Sequence, residues 1–367
     1  MTEDRTADVK RFVYLAAAIS ALGGMLFGYD IGVISGAILF VKTDFSLSPF
    51  LEEVVVSSVL LGSLIGAAAG GVLADRLGRR RLLVITAVVF GLGGIGAALA
   101  PGTVWLVVAR VVAGMAIGVA SFVAPLYISE IAPVAIRGKL VSVNQVALTC
   151  GIVVAYCIDY VFAASQAWRW MFALAAIPAA AFGIGLLFIP DSPRWLVARG
   201  HVDQARAVLR RIRGASQVES ELAEIRRSSA QQRGHWSEIF SLALRPAMIV
   251  GVGLAIAQQV TGINTVIYYA PTIFKFAGIS SAPGAILASV GVGLVNVVLT
   301  LVAMQLIDRV GRRPLLLVSL AGMALSLFVL GLSFSLPRLS GSLGWIAVGS
   351  VMIYVSSFAV GLGPVFC

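Results

Sequence analysis

Long apolar runs recur along this chain at intervals of about 25 to 35 residues, and they restrict its fold more than any other feature. Ten are legible, at roughly 12–41, 54–74, 82–100, 104–127, 140–163, 170–189, 246–270, 283–307, 314–336 and 343–367. Each is near the roughly 20 residues that a helix needs to cross a bilayer. Hydrocarbon offers no partner to a backbone N–H or C=O, so a run of this length satisfies its own backbone as a helix. Composition agrees. Of 367 residues, 59% are hydrophobic and 12% charged, with a mean hydropathy of +0.98. Soluble domains average about 45–50% apolar and about 25% charged. The expected fold class is an all-α polytopic membrane protein.

The net charge of +10 does not indicate nucleic acid, because the cations lie in the short gaps between apolar runs. Alternate gaps hold Arg5, Lys10 and Arg11; Arg76 and Arg79 to Arg81; Arg137 and Lys139; many arginines between 190 and 245; and Arg309, Arg312 and Arg313. The opposite gaps hold Lys42, Arg169, Lys275 and Arg338. Lys and Arg collect on the cytoplasmic side, so the N-terminus and the 190–245 segment are expected in the cytoplasm and the protein in the cell (inner) membrane. The first apolar run is too long for a signal peptide. Cys150, Cys157 and Cys367 fall inside apolar runs and read as inert packing residues. The two histidines, His201 and His235, fall in the hydrophilic linker as solvated residues. With no phosphate-binding loop and no metal-ligand spacing, neither an enzyme nor a cofactor or metal is expected.

The chain repeats itself. GVLADRLGRRR at 71–81 follows the second apolar run and AMQLIDRVGRRPL at 303–315 follows the eighth. Asp75 and Asp308, Gly78 and Gly311, and Arg79 and Arg312 share one offset of 233 residues. A pattern that restarts after six helices implies two related halves, as in transporters. The expected organisation is a six-helix half at 1–189, a cytoplasmic helical linker at 190–245, and a second half at 246–367. Within the linker, DQARAVLRRI and VESELAEIRR read as amphipathic helices, Ser216 and Glu219 having capping-box spacing before the second. Six plus six helices are expected and about ten are present, so the chain is expected to end within its tenth helix.

Asp30 and Arg110 are isolated charges near the middle of apolar runs. Each costs roughly 2.5–3.5 kcal/mol on insertion scales, and a pair offsets part of that cost. The first run carries Gly24, Gly28, Gly32 and Gly36 as a stripe that permits close helix contact. Asp30 lies about 200° around the helix from Gly28, away from that stripe. Arg110 heads a stripe of its own with Gly114 and Gly118.

The repeated loops, with ARVVAGMAIG, PLYISEIAPVAIRG, PDSPRWL and QQVTGINTVIYYAP, resemble the sugar porter family of the major facilitator superfamily. The resemblance covers nearly the whole chain, and it is greatest to bacterial proton–monosaccharide symporters, then to animal facilitative glucose transporters. It implies a hexose or pentose site between the halves, with Gln145, Gln258, Gln259, Asn264 and Asn296 as sugar-binding amides and Phe27 beside them. Amides suit sugar hydroxyls because they donate and accept without charge; they also serve as interhelical glue. The three polar positions of the seventh run do not share one face of a straight helix. Gly262 offers a place to distort and Pro271 a place to kink or end. The resemblance makes Tyr268 and Tyr269 an outer gate and the pair Asp30 and Arg110 the proton-coupling site. Uncoupled carriers have Asn where this chain has Asp30. An inner charge network would comprise Asp75, Arg79, Arg80, Glu130, Arg137, Asp191, Arg194, Asp308 and Arg312.

Two positions depart from the family pattern. Ile152 replaces a second symporter-type Gln, and Cys367 stands where a Trp is expected. The expected function is a proton-coupled monosaccharide symporter working by alternating access, as a monomer in the lipid bilayer, truncated as it stands. The alternatives are an equilibrative facilitator and a non-transporting sensor or fragment.

Overall fold

The computed structural model describes residues 2–133, 136–213, 218–231, 244–335 and 343–365, with side chains described from residue 11 onward except at 229–231, 247, 308, 364 and 365. The described residues contain helices and no strand. Ten helical stretches among them are long and apolar enough to cross a membrane, one for each apolar run. The first five are single helices: α1 (Thr2–Asp44), α2 (Pro49–Leu77), α3 (Arg79–Ala98), α4 (Thr103–Ile131) and α5 (Arg137–Ala163). The sixth is bent into α6 (Trp168–Ala173) and α7 (Ala176–Leu187). After the short α8 (Pro193–Ala198) come the linker helices α9 (Val202–Arg213) and α10 (Val218–Gln231). The seventh span is broken into α11 (Arg245–Val260), α12 (Ile263–Tyr268) and α13 (Ala270–Phe276). Then follow α14 (Ala282–Val310), α15 (Arg312–Ser335), α16 (Leu343–Val360) and the single turn α17 (Leu362–Val365).

Local chemistry starts several of these helices. Ser48, Ser192 and Ser281 are N-caps whose hydroxyls accept from Leu51, Trp195 and Gly284 backbone N–H groups, and Pro49, Pro193 and Pro283 follow within the first turn. A hydroxyl fills an orphan donor there, and proline lacks the N–H that would otherwise go unsatisfied.

Glycine decides the packing. The stripe of α1 lies against α5: side chains at Gly24, Gly28, Gly32 and Gly36 would run into Asn144, Leu148, Ile152 with Ala155, and Asp159 in turn. The α2–α4 contact is reciprocal. Gly62 and Gly66 face the Val111 and Met115 backbones, while Gly114 and Gly118 face the Val59 and Ser63 backbones. α3 packs on α4 and α7, α14 on α5 and α16, and α15 on α16. Large apolar side chains such as Leu64, Leu92, Val104, Phe188, Leu317 and Phe328 point outward, as hydrocarbon-facing surfaces require. Cys150 is half-buried and Cys157 is exposed, so Cys157 is a surface residue rather than the packing residue expected; Cys367 lies outside the described residues.

The linker helices fold back on one end of the bundle. Ala205, Leu209, Ile212, Val218, Leu222 and Ile225 form one core with Val13, Ala17, Ile128, Leu140 and Leu196. Both amphipathic helices stand where the apolar spacing placed them; Ser216, the proposed cap, lies outside the described residues.

Gly28→Ala tests the stripe. Its new methyl would meet the Leu148 carbonyl, so a loss of about 1–3 kcal/mol is expected, the usual cost of overpacking. Gly253→Ala, with open space around it, should be neutral or slightly stabilising. Thermal unfolding in detergent compares the two; an unchanged midpoint in Gly28→Ala would show that the contact is loose.

Candidate functional site

The stripe orients α1 so that Asp30 points at α4. Asp30 and Arg110 are 5% and 1% exposed, and Arg110 Nη2 donates to Asp30 Oδ2 at 3.5 Å. The guanidinium is also tied to α2: Nε donates to the Val55 carbonyl at 2.8 Å and Nη2 to that of Val56 at 3.4 Å. It lies over the Phe172 ring, 5.9 Å from its centroid. Arg110 Nη1 has no hydrogen-bond partner among the described residues. Beside the pair is a cavity of about 10 Å³ lined by Tyr29, Asp30, Phe90, Arg110, Phe172 and Ala175, among others. That is about the space one water needs. The arrangement suits reversible protonation. If Asp30 gains a proton, Arg110 keeps its α2 carbonyl acceptors and its aromatic neighbour, which offset part of the cost of leaving its charge without a counter-ion.

At the end of the bundle where α2 meets α3, the repeated loop has a definite geometry. Gly78 ends α2 with φ +89° and Gly311 ends α14 with φ +88°. Both lie in the left-handed half that glycine alone enters cheaply. Arg79 bridges Asp75 and Glu130, at 3.1 Å each. Asp191 accepts from the Arg80 backbone N–H at 3.1 Å. Burial pushes the Asp191 carboxyl up from its ordinary value, against the pull of that N–H and of the Arg80, Arg81 and Arg79 charges.

Several arginines close helix C-termini, where free carbonyls and the helix dipole favour cations. Arg80 donates to Leu186 and Leu187 carbonyls at 2.8 and 2.7 Å. Arg199 donates to those of Asp75 and Arg76, Arg213 to those of Ile131 and Ala132, and Arg169 to those of Ala98 and Ala100.

The expected inner network is therefore only partly assembled. Asp75, Arg79, Arg80, Glu130 and Asp191 meet. Arg194 is exposed and Arg137 half-buried, and neither forms an ion pair with any described residue. Arg137 Nε is buried without a hydrogen-bond partner among those residues. Arg312 is exposed, and the side chain of Asp308 lies outside the described residues.

In the seventh span the backbone breaks at Gly262, which has φ +80°. Tyr354 on α16 holds the break by donating to the Thr261 carbonyl at 2.5 Å. The break lets Asn264 Nδ2 donate to Gln259 Oε1 at 3.1 Å, joining amides that a straight helix would separate. A second break at Tyr269 precedes Pro271, which occupies the first turn of α13, so the helix is interrupted there as the proline suggested. Gln258 is half-buried and Asn296 on α14 is buried. Gln145 on α5 faces α17, its Nε2 lying 3.7 Å from where a Gly363 side chain would begin. Phe27 is half-buried against the core. Tyr268 is buried with its hydroxyl unpartnered among the described residues, and Tyr269 is half-buried at the α12–α13 junction. Tyr156 on α5 donates to the Ile267 carbonyl at 3.1 Å, tying the first six spans to the seventh.

A family model described as "Sugar (and other) transporter" matches residues 16–367. The chain belongs to the sugar porter family of the major facilitator superfamily. It is 43% identical to the D-xylose transporter of Levilactobacillus brevis, over 96% of this chain and 77% of that protein. It is 40% identical to the galactose-proton symporter of Escherichia coli (strain K12), over 97% of this chain and 77% of that one. Its fold is similar to the partially occluded inward-open conformation of the xylose transporter XylE from E. coli, with a TM-score of 0.86, 36% identity, and 96% and 86% of the two chains covered. This sugar porter is thus a multi-pass membrane transporter and not an enzyme, as expected.

Sequence reasoning missed Asp159, which is wholly buried near the end of α5. Its signal was the same as that of Asp30, a lone acid in an apolar run, but its place near the run's end made water seem reachable. The capping arginines were also missed, because a carbonyl acceptor leaves no mark in sequence.

Glu130→Gln tests the buried part of the inner network. The Glu130 side chain is 6% exposed and that of Asp75 is 76% exposed. Removing the buried charge from Arg79 should cost about 3 kcal/mol, whereas Asp75→Asn should cost less than about 1 kcal/mol. Denaturation in detergent gives both values; equal losses would contradict this assignment.

Proposed function

We propose that this protein is a proton-coupled monosaccharide symporter that carries a hexose or pentose by alternating access, with Asp30 as its proton site. The observation that carries the reading is the buried Asp30–Arg110 pair beside a water-sized cavity. A facilitator has no use for an ionisable group at that depth. Relatives named as a galactose-proton symporter and a D-xylose transporter support the substrate class. Protonation of Asp30 releases α1 from Arg110 and permits reorientation, while loss of the proton on the inner side restores the pair. Gln145, Gln258, Gln259, Asn264 and Asn296, with Phe27, bind sugar hydroxyls. Tyr268 and Tyr269 close the outer side. Asp75, Arg79, Arg80, Glu130, Arg137, Asp191, Arg194, Asp308 and Arg312 form the inner closure. Solvated ion pairs there are individually weak, as a switch between states of similar energy requires.

The halves are residues 1–189 and 246–367, joined by the linker at 190–245. The N-terminus and the linker face the cytoplasm from the inner membrane, where cations collect at the α2–α3 and α14–α15 junctions. The protein works as a monomer in the lipid bilayer. Ile152 adds nothing toward a facilitator reading: it is buried against the α1 stripe and fills helix contact rather than a sugar wall.

The deciding experiment is Asp30→Asn in the carrier placed in proteoliposomes. Accumulation of labelled sugar driven by a proton gradient should be abolished, while sugar exchange at equal concentrations persists. Gradient-driven accumulation by the variant would overturn the assignment. Sugar binding by the unaltered carrier without exchange would instead make it a sensor.

A further inference from the structure

We propose that Asp159 is a second proton-binding site of this carrier, distinct from Asp30 and occupied in the conformation seen here. Asp159 is 0% exposed, and neither carboxyl oxygen has a hydrogen-bond partner among the described residues. It sits at the last position of the glycine stripe, in the space that a Gly36 side chain would fill.

The titratable groups facing it are Tyr29 from α1 and Tyr156 from α5. Both hydroxyl protons are committed elsewhere, to the Met171 carbonyl at 2.7 Å and the Ile267 carbonyl at 3.1 Å. From α4, Arg110 is committed to Val55, Val56 and Asp30. Arg169 on α6 is committed to Ala98 and Ala100. The length of α14 that lies against α5 contains no ionisable residue, its first being Asp308 at the far end. A carboxylate here would be a bare charge in a dry helix contact, and such groups take up a proton instead. Binding transfers one proton from water to one carboxyl oxygen, and the site goes from one negative charge to none. The neutral acid has no charge to hydrate and lets the two helices close over it. When the proton is lost, the charge must seek water, and α1 lifts from α5 at this end. Proton scarcity therefore switches the carrier off independently of any coupling at Asp30.

The test is infrared spectroscopy of the purified carrier, with sugar exchange measured from acid to alkaline pH. The wild type should show a protonated-carboxyl C=O band that survives in Asp30→Asn and is lost in Asp159→Asn. Exchange by the Asp30→Asn/Asp159→Asn double variant, scaled to its own maximum, should keep its activity in the alkaline range where Asp30→Asn alone loses it. A band unchanged in Asp159→Asn, or an identical alkaline decline in both proteins, would overturn the proposal. So would failure of Asp159→Asn to fold at neutral pH, because the nearest neutral isostere should be accepted where a neutral acid sits. The spectrum reads Asp159 without transport, and exchange is compared between proteins that both lack Asp30, so neither outcome depends on the role given to Asp30.

Discussion

The close approach of α1 to α5 is the contact on which the rest of the site depends. Between helices in hydrocarbon no hydrophobic force distinguishes protein from lipid, so contact comes from van der Waals packing where small residues let backbones meet. Four glycines on α1 meet that requirement against Asn144, Leu148, Ile152 and Asp159. With that face committed to α5, Asp30 is turned to the opposite side. There α4, seated on α2 through Gly114 and Gly118, presents Arg110. Two apolar contacts thus aim two charges at each other.

The charges then divide into two kinds. Arg110 and Asp30 are shut away from water, where a partner decides their cost. At helix ends, Arg80, Arg199 and Arg213 donate to backbone carbonyls, whereas Arg79 pairs with Asp75 and Glu130. Arg80 fastens α7 to α3, Arg199 fastens α2 to the end of α8, and Arg213 fastens α4 to α9. The Arg-rich gaps therefore have a mechanical part beyond topology. They hold these ends of the spans while Arg79 and Glu130 supply one buried ion pair between α3 and α4.

Much of this was legible in residue order. The ten spans follow from hydropathy, because a membrane helix states its length in its own composition. The Asp75–Gly78–Arg79 and Asp308–Gly311–Arg312 repeat identified two glycines with nearly identical positive φ, because a tight turn between helices needs that residue. Gly262 was legible as a break for the same reason. Other features were not. Arg137 and Arg194 have the residue type for an ion-pair network, yet neither has a carboxylate partner among the described residues. Cys157 sits in an apolar run and still faces outward. Asp159 lies where a helix end normally finds water, and only its placement under Gly36 shows that it does not.

Sequence by itself determined the number and length of the membrane helices, their internal repeat, the stripe that α1 would pack on and the family to which the chain belongs. These are local properties, set by hydropathy, by glycine's missing side chain and by spacing along one helix. Tertiary structure decided which helix fills each stripe, and hence which face Asp30 turns to and what Arg110 can reach. It also decided that a turn at Gly262 brings Asn264 to Gln259, and that Asp159 is sealed from water. Each of these depends on the distance between helices far apart in the chain. That distance is set by packing across the bundle, which no single segment contains.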